Sequence, residues 1–378
     1  MRDLAIYVHI PFCVRKCRYC DFLSAPGNAK ERTAYLQALM REMRYRSAEL
    51  QKYRVKTIFW GGGTPSLLEA PAFEEAAAAL RACTGEWAPD VEWTVEANPG
   101  TLSADRAESW RRMGVNRVSL GVQATQEHLL RRIGRIHTWE QAVESVKMLR
   151  EAGFSNINLD LMMGLPGQSL DDWTETLERG ILLGPEHLSC YSLILEEGTP
   201  LYEDVRQGRE SLPEEEAERA MYNLTLKRLQ AARYMQYEIS NFAKPGYHCR
   251  HNLVYWELGD YQGLGLGAAS YIEGVRRKNT EDLCEYVQAE NPVVCERIEE
   301  ENSLKNQMEE WMFLGLRKTA GVDLREFQDR FGHSAESVYG ETMRDLQEEG
   351  LILRKGDQIM LSRRGLDLAN QVFAAFLL

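Results

Sequence analysis

Cys13-Val-Arg-Lys-Cys17-Arg-Tyr-Cys20 follows closely on Leu4-Ala-Ile-Tyr-Val-His-Ile10, an apolar run of strand character that stops at Pro11. Three thiols within eight residues, at spacings of four and three, cannot pair off among themselves. A closed disulfide framework therefore does not account for them. Thiolate is a soft ligand, suited to zinc or to an iron–sulfur cluster. Three cysteines cap three corners of a 4Fe–4S cube and leave the fourth iron open to a small chelate. The amine and carboxylate of S-adenosylmethionine fit that vacancy, and electron transfer from the iron into the bound sulfonium cleaves it to a 5′-deoxyadenosyl radical. The alternative is a structural zinc site, which needs a fourth ligand, and His9 is the nearest.

Outward from this loop, short β-rich runs alternate with helical patterns. Val55–Trp60 reads as a strand and Phe73–Ala82 as a helix; Val91–Glu96 is a strand, and Ser103–Met113 a helix with Ser103 as N-cap and Gly114 as stop. Arg117–Gln123 is a strand before a helix over Thr138–Glu151. Asn156–Met162 is another before a helix from about Ser169 to Leu183, and His187–Leu195 is the sixth. Six β-then-α units predict a parallel sheet with crossover helices. Glu96, Gln123 and Asp160 fall at the C-terminal ends of successive strands, as they do where a (β/α) barrel builds its site. The expected fold is α/β, a partial, open (β/α)6 barrel over residues 1–200.

Beyond Leu195 the regularity stops. Pro213–Ala232 reads as a charged helix, Tyr237–Phe242 as an edge strand, and Lys244–Gly274, rich in glycine and aromatics, as ordered loop. Residues 201–300 are taken as a barrel extension. Residues 301–378 are taken as a mostly helical, winged-helix-like domain. It has helices at Ser303–Leu316, Leu324–Phe331 and Ala335–Glu348, a hairpin of Leu351–Leu353 and Ile359–Leu361, and a helix from Arg364. Acidic residues around Glu341–Glu349 favour a packing or substrate-cap role over DNA binding for this unit.

Bulk properties narrow the function. A net charge of −12 is wrong for a general nucleic-acid binder. No apolar run is long enough to span a bilayer and no signal pattern opens the chain, which leaves peripheral membrane association open. Five further cysteines are scattered, as expected of free thiols in a reducing cytoplasm.

Two other stretches carry chemistry. Gly61-Gly-Gly-Thr-Pro65 follows a strand, where glycines let the backbone approach a ligand closely or simply form a tight turn. His248-Cys-Arg-His251-Asn-Leu-Val-Tyr255-Trp256 gathers imidazole, thiol, phenol and indole within nine residues. Nitrogen, sulfur and phenolate oxygen all ligate haem iron, and aromatics suit a porphyrin face, although a packed aromatic cluster reads the same way. Gly263-Leu-Gly-Leu-Gly267 lacks the dinucleotide-binding spacing and reads as loop packing.

Taken in order, Tyr7-Val-His-Ile-Pro-Phe-Cys13, Cys17-Arg-Tyr19-Cys20, Gly61–Pro65, Val95-Glu-Ala-Asn-Pro99, Ser119-Leu-Gly-Val-Gln123 and Asp160-Leu-Met-Met-Gly-Leu-Pro166 resemble one family. This is the radical S-adenosylmethionine proteins related to oxygen-independent coproporphyrinogen III oxidase. Phe22 stands where the oxidase has a further cysteine, only twelve residues precede Cys13, and His251-Asn-Leu-Val-Tyr-Trp256 is similar to the HNxxYW motif of the HemW-type haem-chaperone branch. The resemblance implies a cluster on Cys13, Cys17 and Cys20, and S-adenosylmethionine contacts from Tyr7, Tyr19, Gly62, Gly63, Thr64, Glu96, Gln123, Arg135 and Asp160. It implies haem bound through His251, where local chemistry alone also offers His248 and Cys249, and delivery of that haem to an acceptor such as a respiratory haem protein. Oxidative decarboxylation of porphyrinogen is the alternative function, and another radical reaction a third.

Overall fold

The computed structural model describes residues 1–378. Alternation sets the strands. In β1 (Arg2–Ile10), Leu4, Ile6, Val8 and Ile10 enter the main core, so Tyr7 and His9 point to the other face. The same division holds in β2 (Tyr53–Gly62), β3 (Trp87–Ala97), β4 (Arg117–Gln123), β5 (Ile157–Met163) and β6 (His187–Ser192). One set of side chains packs under the crossover helices; the other lines the interior.

These six strands pair in parallel, each with the next. The sheet has twelve strands and two ends that do not meet, so the barrel is open, as expected. The crossover helices begin where they were placed: Ser103, Thr138 and Ser169 each accept a backbone N–H in the first turn of Ala104–Met113, Trp139–Glu151 and Leu170–Leu182, and Gly114 (φ 102°) ends the first.

The departures have physical causes. The longest helix, Ala29–Leu50, carries no clear apolar stripe, because buried Glu42 and Arg46 interrupt it. Glu42 accepts from Tyr286 (2.6 Å), Gly265 N (2.9 Å) and Arg46 (3.0 Å), which satisfies a carboxylate otherwise costly to bury. Lys244–Gly274 is not ordered loop. It holds the helix Arg250–Trp256 and the strands β8 (Tyr261–Leu264) and Ala269–Ile272, and β8 runs parallel beside β1. Gly265, at φ 102°, packs against the Tyr35 hydroxyl where a Cβ would sit 2.4 Å away, so the glycines there serve packing, as read. The strand read at Tyr237–Phe242 is instead β7 (Asn241–Ala243), antiparallel to β6 and flanked by the edge strand Met235–Gln236, and β6 ends at Ser192 rather than Leu195.

Met308, Trp311, Met312, Phe327, Phe331 and Tyr339 centre a second core beneath a three-stranded sheet in which Val322–Asp323 joins the hairpin Ile352–Lys355 and Gln358–Leu361. The final helix is broken at Leu368 into Arg363–Asp367 and Ala369–Ala375. No helix is long and apolar enough to cross a membrane.

Candidate functional site

The barrel interior is polar. Glu92 and Glu96 from β3, Arg117, Ser119 and Gln123 from β4, Asn158 and Asp160 from β5, and His187, Ser189 and Tyr191 from β6 all alternate away from the outer core. They form two regions: a mouth at the C-terminal strand ends and a floor below it.

At the mouth lies a cavity of about 490 Å³. Cys13, Cys17, Tyr19, Cys20, Gly62, Gly63, Thr64, Glu96, Gln123, Arg135 and Asp160 all line it, so the structure brings together eleven of the twelve residues assigned from sequence to the cluster and S-adenosylmethionine. Tyr7 sits one layer lower, stacked on Phe59 (6.3 Å) with its hydroxyl 3.0 Å from His9 Nδ1. His9 is also 2.8 Å from the Leu23 carbonyl through Nε2, so both ring nitrogens are engaged and the zinc reading lacks its fourth ligand.

The cysteine loop is held from several sides. Arg18 N donates to the Ile133 carbonyl (3.0 Å) and its guanidinium to that of Arg132 (2.8 Å). The same guanidinium pairs with Asp204, and the Arg18 carbonyl accepts from Leu201 N (2.9 Å). Arg135 donates to Cys17 Sγ (3.6 Å), to Asn98 Oδ1 (2.8 Å) and to the Gly121 carbonyl. Burial pushes the Cys13 and Cys20 thiols up.

The glycine turn packs directly on this loop: Gly63 N donates to the Ile10 carbonyl (2.8 Å) and Thr64 N to that of Phe12 (2.7 Å). A Cβ on Gly63 would lie 2.5 Å from Phe12 O, so only glycine permits the approach. Gly62 N donates to Glu96 Oε2 (3.1 Å). Burial first, then the Asp160 carboxylate, raises Glu96 to about 7. Asp160 is raised by burial but held by Ser119 Oγ (2.9 Å) and Asn158 Nδ2 (2.8 Å). Gln123 ends its strand at φ 68°, in the left-handed region, and its buried Oε1 has no partner. A strained non-glycine residue with an orphaned acceptor in a cavity marks a ligand-facing position. Clustered thiols, a glycine cradle, a carboxylate with one backbone donor and this orphaned amide fit a cluster with a nucleoside-bearing chelate beside it.

His251 is elsewhere. The helix Arg250–Trp256 plugs the floor, with Glu92 accepting from Arg250 N (3.1 Å) and His251 N (3.0 Å). His251 is fully buried against Phe59 (5.2 Å), its Nδ1 2.9 Å from Thr57 Oγ1 and its Nε2 2.8 Å from Tyr255 Oη. Burial and the Arg117 charge lower it to about 3. Both nitrogens are engaged, so in this arrangement it has none free for iron. Cys249 is buried beside Glu92 with its thiol pushed up to about 12 by burial, and half-buried His248 stacks on Tyr237 (4.3 Å).

Sequence reading passed over Asn98, Ser119, Tyr191, Ser240 and Arg317, all of which line the mouth. Asn98 and Ser119 lay inside quoted motifs. Arg317 follows a helix far along the chain, where nothing local signals a site.

Residues 7–180 match the radical SAM superfamily and residues 302–368 the HemN C-terminal domain. The heme chaperone HemW of Bacillus subtilis is 40% identical over 376 residues, 98% of each chain. That of Escherichia coli is 45% identical over 266 residues, 70% of this chain and 69% of its own. That of Mycobacterium tuberculosis is 33% identical over 387 residues, 100% of this chain and 95% of its own. Among solved structures, coproporphyrinogen III oxidase (HemN) from Escherichia coli superposes with a TM-score of 0.86 at 23% identity, covering 100% of this chain and 90% of that one.

Proposed function

The chain belongs to the HemW family of radical S-adenosylmethionine proteins, and from that premise we propose that it binds haem and hands it to an acceptor haem protein. In this reading Cys13, Cys17 and Cys20 hold a 4Fe–4S cluster. S-adenosylmethionine lies against Gly62, Gly63, Thr64 and Tyr19, with Glu96, Gln123, Arg135 and Asp160 around it and Tyr7 supporting from below. When bound, the pair supplies reductive cleavage of a sulfonium. The protein's own part is positional: Glu96 accepts from hydroxyl donors, Gln123 offers its free amide oxygen, and Arg135 steadies the thiols.

The observation that carries the proposal is the convergence of all three thiols with the glycine cradle on one cavity, in a chain alike over its full length to proteins named haem chaperones. Iron ligation by His251 would require the helix Arg250–Trp256 to leave the barrel floor and both imidazole contacts to break. The reading places the radical-SAM barrel at 1–200, its extension at 201–300 and the winged-helix-like domain at 301–378.

Haem-loaded, cluster-reconstituted protein incubated with an apo-cytochrome should transfer its haem, seen as growth of the acceptor's spectrum. Reduced protein given coproporphyrinogen III and S-adenosylmethionine should leave the porphyrinogen unchanged. Protoporphyrinogen IX formation would replace the carrier reading with the oxidase one.

A further inference from the structure

A second cavity, of about 510 Å³, opens between the barrel and the last two helices. Its walls are largely apolar and include Met163, Tyr222, Ile239, Leu366, Leu368 and Phe373. It is continuous with the mouth: Tyr191, Ser192, Ile194, Ser240 and Arg317 line both. Ile194, at the junction, is 69% exposed.

Arg317 is the cation at that junction. Its Nε is buried without a hydrogen-bond partner. Its guanidinium lies 4.4 Å from the Trp256 ring centroid, a cation–π contact that fixes it where two cavities meet. The nearest opposing charge to act on it is Glu238, whose carboxylate already accepts from Ser240 N (2.9 Å) and from Asn241 Nδ2. Asp367, the carboxylate that lines the cavity, is exposed. A half-buried guanidinium whose Nε lacks a partner, where an apolar slot meets the mouth, is complementary to a flat apolar ligand with carboxylates on one edge.

We propose that this slot is the haem site, with a propionate on Arg317 and the macrocycle against Tyr222, Ile239, Leu366, Leu368 and Phe373. The inference rests on the carrier reading and places the cargo beside the cofactor cavity rather than at the barrel floor. Trp256, which closes the His251–Trp256 motif, is then a positioning residue acting through Arg317.

The test is titration of ferric haem and of its dimethyl ester, in which the propionates are blocked, into the full chain and into Arg317→Gln and Ala369→Trp. Thermal melts report whether each variant folds. Arg317→Gln should weaken haem binding about tenfold, as expected for loss of a charge-assisted contact, while the ester binds this variant and the unaltered chain alike. Ala369→Trp, which fills the slot, should weaken both ligands. Folded variants that bind haem as the unaltered chain does would overturn the slot and leave the carrier reading standing. If Ala369→Trp does not fold, the contrast between haem and ester on Arg317→Gln decides alone. An unaltered chain that binds no haem would overturn the carrier reading, and the slot with it.

Discussion

Glu96 and His251 show how one barrel interior imposes opposite tasks on two buried residues. Glu96 titrates near 7 instead of 4.5, so its carboxyl is protonated across a range where a solvated one is charged. Asp160, Arg117, Tyr7, Tyr191, Tyr255 and the Gly62 amide are the groups that act on it or feel its charge. Because the folded value is raised, the ligand-free protein should be most stable below pH 4.5 as far as this group is concerned. It should lose that contribution as pH rises towards 7, by the linkage of proton binding to folding. If the hydroxyls of S-adenosylmethionine donate to this carboxylate, as proposed, the ligand should bind more tightly as pH rises through that range. In Glu96→Gln the pH dependence should vanish, and affinity above pH 7 should fall by about 1–3 kcal/mol, which calorimetry on reconstituted protein will read. His251→Ala, in contrast, orphans Thr57 Oγ1 and Tyr255 Oη in the floor and leaves a cavity there. We expect a loss of about 2–4 kcal/mol in urea unfolding, in line with combined cavity and hydrogen-bond costs. The haem difference spectrum should persist in the folded fraction, and its loss would return iron ligation to this residue. The HNxxYW run was legible as a concentration of aromatics and imidazoles. That its histidine packs inward was not, because the register of a seven-residue helix against the barrel floor is set by Glu92, more than 150 residues away.

Among the elements, the six barrel strands and their crossover helices could be read because alternation and caps are local signals. The helix Ala29–Leu50 escaped because Glu42 and Arg46 occupy its buried face. β8 escaped because its partner, β1, lies at the other end of the fold. The two elements that frame the interior make separable predictions. Glu92 receives the first backbone donors of the floor helix and stands beside Arg117, itself almost wholly buried. Glu92→Ala leaves the Arg250 and His251 amides without their acceptor and should cost about 1–3 kcal/mol of stability, the scale of buried donors left unsatisfied, measured by urea unfolding. Cys17→Ser acts at the opposite end. Its side chain lies in a loop above the strands, so reconstituted variant protein should lose its iron and sulfide while its far-UV circular dichroism stays that of the unaltered chain. Retained stoichiometric iron would remove Cys17 from the ligand set.

Across the whole molecule, the candidate site was legible where motifs sat at strand ends and illegible where the second core meets the barrel, since Arg317 reaches the mouth only through tertiary packing. That packing joins distant parts of the chain: Thr319 N donates to the Tyr237 carbonyl (3.0 Å), and Glu238 bridges to Lys318. The first and sixth strands are joined in another way. No ladder of hydrogen bonds connects β1 to β6, yet Arg18, in the cysteine loop just after β1, holds Leu201 and Asp204, just after β6. The open barrel is a bracelet, and the loop bearing the three thiols is its clasp. If the thiols hold the proposed cluster, its oxidative loss should also be a mechanical event, in which the clasp slackens and residues 193–212 lose a tether. Air-exposed protein should therefore be nicked within 193–212 by a dilute protease sooner than the anaerobically reconstituted form, with fragment masses locating the cut. Equal lifetimes would mean that the clasp holds without its metal.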